Sequence, residues 1–247
     1  MLACGPRVTA FAPGDAVVAL LDHRGGGQAE RVLLPQARAV GAPPSLPPEE
    51  AAALVLSGLT ALQALHDRAR LGSRRDAAVL VVGAAGGIGS FAVQLAVLAG
   101  ARVTAVADRA REPFVTGLGA AEVLDRHRDD PFAPGRRYDV VLDTPGVLPA
   151  ERVLPALTPD GVLVGTRPLD PAVLRRLLLP GRRTGPRPTV VRTRPRPQDV
   201  ARLLALAAVG RLRVPVDRVL PLADAAAAHA HAASGGVRGK VVVRVAG

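Results

Sequence analysis

The sequence predicts an α/β protein built on a doubly wound parallel sheet, with short β-like segments towards both ends of the chain. Three observations support this prediction. A strand pattern runs into a cluster of glycines and then into a helix pattern over residues 77–100. Strand and helix patterns alternate from there to about residue 209, as in a parallel sheet with helical crossovers. Residues 1–55 and 213–247 carry short β-like segments.

The composition is that of a globular chain with an aliphatic core. Hydrophobic residues make up 49% of the 247 positions and aromatic residues 2%, so Ala, Val and Leu must fill the interior. The formal charge is +11, yet no aromatic residues alternate with the many arginines to stack bases. We therefore expect a phosphorylated small ligand and no nucleic acid. Cys4 is the only cysteine, which excludes an intrachain disulfide and favours a cytoplasmic location.

The N-terminal part begins with short extended segments. Residues 16–21 follow a Pro-Gly-Asp turn signal, and residues 29–34 lie between three glycines and a proline; both patterns are typical of strands. A helix is predicted to start within residues 45–50, where prolines precede two glutamates, and to end near Ala69.

The central stretch joins a buried strand to a glycine-rich turn and a helix. Residues 77–82 are all apolar and rich in Val, as expected of a strand buried on both faces of a sheet. Glycines then recur at Gly83, Gly86 and Gly89, and apolar residues repeat at helical spacing as far as Gly100, a typical helix C-cap. Strand, glycine turn and helix in this order start a dinucleotide-binding βαβ unit.

These residue types suit the close approach of a pyrophosphate to the backbone. A Cβ would block that approach, and a helix N-terminus offers free N–H groups to an anion. We therefore expect the backbone of Gly86, Gly87 and Ile88 to bind the pyrophosphate. The spacing G-x-x-G-x-x-G differs from the standard G-x-G-x-x-G, however, and small residues also allow tight strand–helix packing without a ligand.

The same stretch does not suit a membrane span. No charged residue occurs over residues 77–100, which is long enough for a transmembrane helix. The glycines lie in its middle, and the pattern is strand-like before them and helix-like after them. A break of this kind would leave backbone groups without hydrogen bonds in lipid, so we expect no membrane partner.

The loop after the second predicted strand, residues 102–106, bears on the choice between two dinucleotides. Asp108 lies 19 residues after Gly89, near the position of an acid that would bind the ribose hydroxyls and favour NADH. Arg109 and Arg111 follow, and their guanidinium groups could bind a 2′-phosphate and favour NADPH. We expect NADPH, with NADH less favoured; the alternative is that all three are solvated loop charges.

Later strands are predicted to bring their carboxyl ends to the ligand crevice. The strand Tyr138–Asp143 ends at Thr144, and a strand over residues 161–164 ends at Gly165; both end residues are expected to contact the cofactor. Ordinary turn chemistry is the alternative. The remaining predicted elements are a helix over 112–118, a strand over 122–124, helices over 148–157, 171–179 and 198–209, strands over 189–192 and 214–220, a helix over 224–232 and a strand over 240–245.

Eight segments, in order, match a known family. They are Phe11-Ala-Pro-Gly-Asp15, Gly26-Gly-Gln-Ala-Glu30, Gly58-Leu-Thr-Ala61, residues 83–94, Leu118-Gly-Ala120, Tyr138–Asp143, Pro159-Asp-Gly161 and Arg238-Gly-Lys-Val-Val242. On these segments the chain resembles the medium-chain dehydrogenase/reductase superfamily, most closely its zinc-independent quinone oxidoreductase branch. The resemblance implies an incomplete GroES-like β-rich catalytic domain at residues 1–55, completed by residues 213–247, and a Rossmann dinucleotide-binding domain at residues 56–212.

The resemblance also implies an activity. It implies a zinc-free enzyme that transfers a hydride from NADPH to a quinone or an α,β-unsaturated carbonyl compound, and a homodimer formed through the sheet edge near residues 189–192. Thr60 and Lys240 match family residues at the cofactor, Thr60 near the nicotinamide and pyrophosphate. The alternative for Thr60 is a mid-helix threonine whose hydroxyl donates to a backbone carbonyl of the preceding turn. The alternative for Lys240 is a structural salt bridge.

The chain departs from the family pattern at its start, where the catalytic domain is already under way. One wall of the active site is therefore expected to be missing, unless another chain supplies it or the start was assigned too late. Two alternatives to the reductase follow. One is a non-redox enzyme such as a cyclase, lyase or isomerase, and the other is a non-catalytic subunit that needs a partner chain.

The histidines offer one catalytic candidate and no metal site. His23 lies in a loop that borders the substrate in the family, so it is the one histidine considered as a proton donor. His229 and His231 are two apart on a predicted helix and point to different faces, which does not suit metal binding. His66 and His127 are expected on the surface.

Overall fold

The computed structural model describes residues 1–21, 25–168 and 185–245, which divide into two compact units. The first unit comprises Met1–Leu59 and Thr193–Gly247, and the second comprises Thr60–Arg192. The predicted helix over residues 171–179 lies outside the described residues.

Within the described residues the chain forms ten strands and six α-helices. The strands are β1 (Val17–Val18), β2 (Val40–Gly41), β3 (Ala78–Val82), β4 (Arg102–Ala107), β5 (Glu122–Asp125), β6 (Tyr138–Asp143), β7 (Leu157–Gly165), β8 (Arg187–Val190), β9 (Val216–Pro221) and β10 (Lys240–Arg244). The helices are α1 (Pro48–Gln63), α2 (Gly87–Leu98), α3 (Glu112–Thr116), α4 (Ala150–Val153), α5 (Pro197–Ala208) and α6 (Ala225–Ala233).

The second unit is organised on a six-stranded sheet in the order β5-β4-β3-β6-β7-β8, with every neighbouring pair parallel. The chain moves outward from β3 to β5 and then returns to the other side of β3 with β6. This order reverses between β3 and β6, which confirms the predicted doubly wound sheet. The middle of the sheet is buried from solvent. Val79, Leu80 and Val81 of β3 are fully buried, as is Phe91 of α2.

The first unit is built from two small sheets and helices. β1 pairs with β2 in an antiparallel manner, and β9 pairs with β10 in parallel, with α6 between them in sequence. Gly58 lets α5 approach α1, because a Cβ at Gly58 would lie 3.3 Å from Leu203 Cδ1. Leu54 and Leu203 are both fully buried.

Three predicted elements of the described chain are wrong in type or extent. The strand expected over residues 16–21 is reduced to β1, Val17–Val18. Residues 29–34 form no strand, and Leu33 is 97% exposed; β1 pairs with β2, so this segment has no partner strand. The helix expected over residues 148–157 is reduced to α4 and a 3₁₀ turn. Pro155 lies in that turn, and a proline cannot donate the hydrogen bond that would continue an α-helix.

Among the described helices, none combines the length and the hydropathy that a membrane span requires.

Candidate functional site

The glycine loop, residues 83–86, connects β3 to α2 at the point where the sheet order reverses. Gly86 N–H donates to Gly83 O at 3.0 Å, and Ala84 N–H donates to Val106 O at 3.1 Å, which ties the loop to the end of β4. The first intrahelical bond runs from Ser90 N–H to Gly86 O at 3.0 Å. The N–H groups of the preceding helical residues, Gly87 and Ile88 among them, are therefore available to an anion.

Two of the loop glycines are required by internal packing. A Cβ at Gly89 would lie 2.2 Å from Gly83 O and 2.7 Å from Ala84 Cα. Gly83 has φ +73°, and a Cβ there would lie 2.6 Å from Thr144 Oγ1. At Gly86 the tightest contact would be 3.3 Å, to Gly83 O. Tight strand–helix packing therefore accounts for Gly83 and Gly89, whereas Gly86 is less tightly packed and leaves the start of α2 open to a ligand.

The site fits a dinucleotide on the chemistry of these groups. The first turn of α2 carries no acidic side chain that would repel phosphate. The positive end of the helix dipole points to the carboxyl edge of the sheet, where ligands of doubly wound sheets bind.

The end of β6 is attached to both of its neighbours through threonine hydroxyls. Thr144 Oγ1 donates to Val82 O at 2.7 Å, and Thr166 Oγ1 donates to Thr144 O at 2.9 Å. The Thr144 hydroxyl proton, which we expected near the cofactor, is thus used to join β6 to β3. Gly165 is buried at the end of β7, and its carbonyl accepts the N–H of Val191 at 3.0 Å.

Asp143, the last residue of β6, holds the following loop in shape. Its carboxylate is 3% exposed and accepts two backbone hydrogen bonds, from Gly146 N–H to Oδ1 at 2.9 Å and from Leu148 N–H to Oδ2 at 2.7 Å. This buried acid is a structural group, because both oxygens are occupied by the loop that it closes.

Asp108, directly after β4, lies beside two arginines and a histidine. Arg111 Nη1 is 3.0 Å from Asp108 Oδ2, and His127 Nε2 is 3.3 Å from Oδ1, to which Arg126 Nε also forms an ion pair. Asp108 Oδ1 is buried and accepts no hydrogen bond of good geometry within the described residues. Arg109 pairs with Glu112 at 2.9 Å and is 74% exposed. We call Asp108, Arg109, Arg111, Arg126 and His127 the Asp108 cluster.

The contacts of Arg126 and His127 with Asp108 were missed by sequence reasoning, although its expectation that His127 lies on the surface is confirmed, since the side chain is 67% exposed. Both residues follow β5, the neighbour of β4, and Arg126 N–H donates to Ala107 O at 3.0 Å. Only the strand order brings the ends of β4 and β5 together. The sequence does show an acidic residue after β4 and basic residues after β5. Their contact could be inferred only once the order of the strands in the sheet was known.

Thr60 and Lys240 lie in different units. Thr60 is a buried residue of α1 at the start of the second unit. Lys240 opens β10 in the first unit, and burial lowers the pKa of its amine. The alternative salt bridge of Lys240 is not seen within the described residues, where no carboxylate oxygen lies within 4.0 Å of the amine. His23 lies outside the described residues.

The other histidines have separate partners. His231 Nε2 is 2.6 Å from Asp217 Oδ2, and His229 Nε2 is 2.8 Å from the Gln28 amide nitrogen. In the part of the chain that the structure describes, no group of three or more His, Cys, Asp or Glu side chains could hold a metal ion.

Comparison with known proteins identifies the family. The family model described as "Zinc-binding dehydrogenase" matches residues 118–243. The chain is similar to the chloroplast envelope quinone oxidoreductase homolog of Arabidopsis thaliana, with 34% identity over 251 residues, 97% of this chain and 75% of that one. The chain belongs to the medium-chain dehydrogenase/reductase superfamily. Within it, the protein is quinone oxidoreductase-like, and its class is oxidoreductase.

Two further similarities agree with this family. The quinone-oxidoreductase homolog, chloroplastic, of Spinacia oleracea is 36% identical over 178 residues, covering 69% of this chain and 54% of that protein. A solved structure of an NAD-dependent alcohol dehydrogenase has a TM-score of 0.82 and 31% identity, covering 99% of this chain and 80% of that one. Members of the family use a nicotinamide cofactor and act on small molecules.

The expected cytoplasmic location is wrong by the same comparison. The Arabidopsis and Spinacia relatives are both named as chloroplast proteins. The expectation rested on cysteine content, which reports the redox environment and does not distinguish between reducing compartments.

Proposed function

We propose that the protein uses NADPH to reduce small quinones or α,β-unsaturated carbonyl compounds, without zinc. The observation that carries the proposal is the carboxyl edge of the six-stranded sheet, where the glycine loop and the start of α2 meet the loops after β4, β6 and β7. The bound nicotinamide would supply the hydride. The residues of this chain bind and orient the cofactor, and their hydrogen bonds fix the conformation of the loops at the edge of the crevice.

The preference for NADPH rests on the charge of the Asp108 cluster. Arg111 and Arg126 pair with Asp108, and Arg109 pairs with Glu112, so three guanidinium groups face two carboxylates and positive charge is in excess. Asp108 Oδ1 lies buried beneath Arg126 and His127, so a ribose hydroxyl would have to displace a cation to reach it. A 2′-phosphate instead adds a partner for the guanidinium groups.

The absence of zinc is proposed from the donor set. The sequence has a single cysteine, Cys4, and the described residues form no cluster of three suitable ligands. A catalytic zinc site needs about three protein ligands of this kind. Thr60 and Lys240 remain predicted cofactor contacts, on the resemblance of their motifs.

Calorimetric titration with NADPH and with NADH tests the proposal. We expect NADPH to bind about tenfold more tightly, since a charge-assisted pair contributes about 1.5–3 kcal/mol. Arg111→Ala should remove most of that preference. Arg137→Ala is the matched control, because Arg137 is exposed and lies at the opposite, amino edge of β6. Equal binding of NADH, or no binding of either cofactor, would contradict the proposal.

Product mass then separates the reductase from the non-redox alternative. Reduction of an enone or quinone adds two hydrogens, whereas cyclisation or isomerisation leaves the mass unchanged. Oxidation of NADPH in step with product formation is the expected result with a simple enone.

A homodimer through the edge of the sheet is part of the proposal. β8 stands at the end of the six-stranded sheet and pairs with β7 on one side only within the described residues. An unpaired strand edge offers backbone groups to a second copy of the chain. Solution mass by light scattering should give twice the chain mass of 25.4 kDa, and a stable monomer would contradict the dimer.

A further inference from the structure

Arg167 follows β7 and is held by its aliphatic stem against the loop after β6. Gly146 has φ +68°, and a Cβ there would lie 2.6 Å from Arg167 Cγ, 2.8 Å from its Cβ and 2.9 Å from its Cδ. The arginine stem therefore occupies the space that any side chain at position 146 would need. The Thr166 hydroxyl, bonded to Thr144 O, holds the backbone next to it.

The guanidinium of Arg167 differs from those of the other arginines at this edge. Arg167 is exposed, and no hydrogen bond or ion pair of its head group is found within the described residues. Arg109, Arg111 and Arg126 each pair with a carboxylate. A guanidinium that is positioned by its stem and has no acceptor among the described residues can bind an anion from solution.

The anions of the cofactor already have binding groups elsewhere at this edge. The pyrophosphate is assigned to the start of α2, and the 2′-phosphate to the Asp108 cluster after β4. In doubly wound folds the second half of the sheet receives the other end of the dinucleotide. Arg167 follows β7, in that second half of the sheet, where the nicotinamide and the acceptor are expected to meet.

We propose that Arg167 binds a carboxylate on the acceptor, and that the preferred substrates are α,β-unsaturated carbonyl compounds or quinones with an acidic substituent. This inference rests on the proposed function. A carboxylate matches the planar fork of a guanidinium, which can donate two parallel hydrogen bonds. Arg167 acts in binding and specificity, and it takes no part in the transfer of the hydride.

Two matched pairs of compounds test the proposal on the full chain. Levulinate and methyl levulinate are saturated ketones that differ in charge and cannot accept a hydride at a C=C bond; they report binding by calorimetry at saturating NADP⁺. β-Acetylacrylate and its methyl ester are the corresponding enones and report turnover. We expect the acid of each pair to be favoured about tenfold over the ester, in Kd or in kcat/KM.

The variants separate position from net charge. Arg167→Ala should abolish the preference for the acid and leave the ester unchanged, and Arg167→Lys should keep a part of it, because a lysine retains the charge without the fork. Arg137→Ala, which removes the same charge at the opposite edge of the sheet, should keep the full preference.

Each contrary result has a distinct meaning. If the wild-type chain binds levulinate no more tightly than its ester, or if Arg167→Ala weakens NADPH binding, the assignment of Arg167 to the acceptor is wrong. If neither enone is reduced, the proposed reductase function fails. The levulinate pair still decides on Arg167 in that case, because its binding requires no turnover.

Discussion

The two halves of the ligand edge are held by different forces. After β4 and β5, the loops are joined by charges, with Asp108 set between Arg111, Arg126 and His127. After β6 and β7, the loops are joined by uncharged donors to Asp143 and to backbone carbonyls. Charged side chains can recognise a phosphate, and salt and pH can weaken that interaction. Buried hydrogen bonds instead form a rigid surface against which an uncharged ring can pack.

Gly89→Ala should disturb both halves at once, because Gly89 packs where they meet. The new Cβ would lie 2.2 Å from Gly83 O, so the glycine loop must shift. We expect a loss of about 1–3 kcal/mol in the free energy of unfolding and no measurable NADPH binding. Denaturant unfolding and calorimetry measure the two effects.

Gly72→Ala is the control for this substitution. No atom lies within 4 Å of a Cβ at Gly72, in the 3₁₀ turn Leu71–Ser73. If Gly89→Ala were as stable as Gly72→Ala and bound NADPH normally, the described contact of α2 with the loop would be incorrect.

Asp143→Ala tests the half held by buried hydrogen bonds. The substitution leaves the N–H groups of Gly146 and Leu148 without their acceptor, which should cost about 2–3 kcal/mol of unfolding free energy. Because the Gly146 loop contacts Arg167, the preference for acidic acceptors should fall as well. Asp160→Ala, at an exposed aspartate, should change neither quantity, and a similar loss there would point to a general charge effect.

Arg126→Ala tests the half held by charges. We expect NADPH affinity to fall about fivefold, with NADH affinity unchanged, because the substitution removes a cation from the proposed 2′-phosphate position. The defect should shrink at high salt, since screening already weakens the wild-type interaction. Arg128→Ala is the control, at a neighbouring side chain that is 83% exposed. Equal loss of NADPH and NADH would show that Arg126 holds the loop and not the phosphate.

The pH dependence of stability gives the smallest effect. Arg136 donates to both oxygens of Glu122 on β5, at 2.9 and 2.7 Å, and this pairing lowers the pKa of Glu122. The pair therefore adds stability above the unfolded pKa of about 4.3 and loses it as the pH falls through the lower folded value. Glu122→Gln should cost about 0.5 kcal/mol at neutral pH and nothing in stronger acid, since the pair is partly exposed.

Thermal unfolding from neutral to acid pH checks this difference. A constant gap between Glu122→Gln and wild type at every pH would assign the effect to packing of the side chain instead of its charge.

The second unit was more predictable than the first. Its strands β3, β4 and β6 are covered on both faces, so each is rich in consecutive apolar residues, a pattern that the sequence reveals. In the first unit, residues 29–34 also contain consecutive apolar residues, at positions 32–34, and form no strand. Local composition indicates which segments can extend, but a strand also needs a partner, and the choice of partner is made by distant residues.

The sequence by itself determined the βαβ start, the alternation of strands and helices and the family, because these depend on local spacing and on motifs in order. The tertiary structure alone decided which side chains meet. It brought Arg126 and His127 to Asp108, used the Thr144 hydroxyl to join two strands and laid the stem of Arg167 across Gly146. The physical reason is that parallel strands place residues far apart in the chain at one edge, in an order that no local pattern encodes.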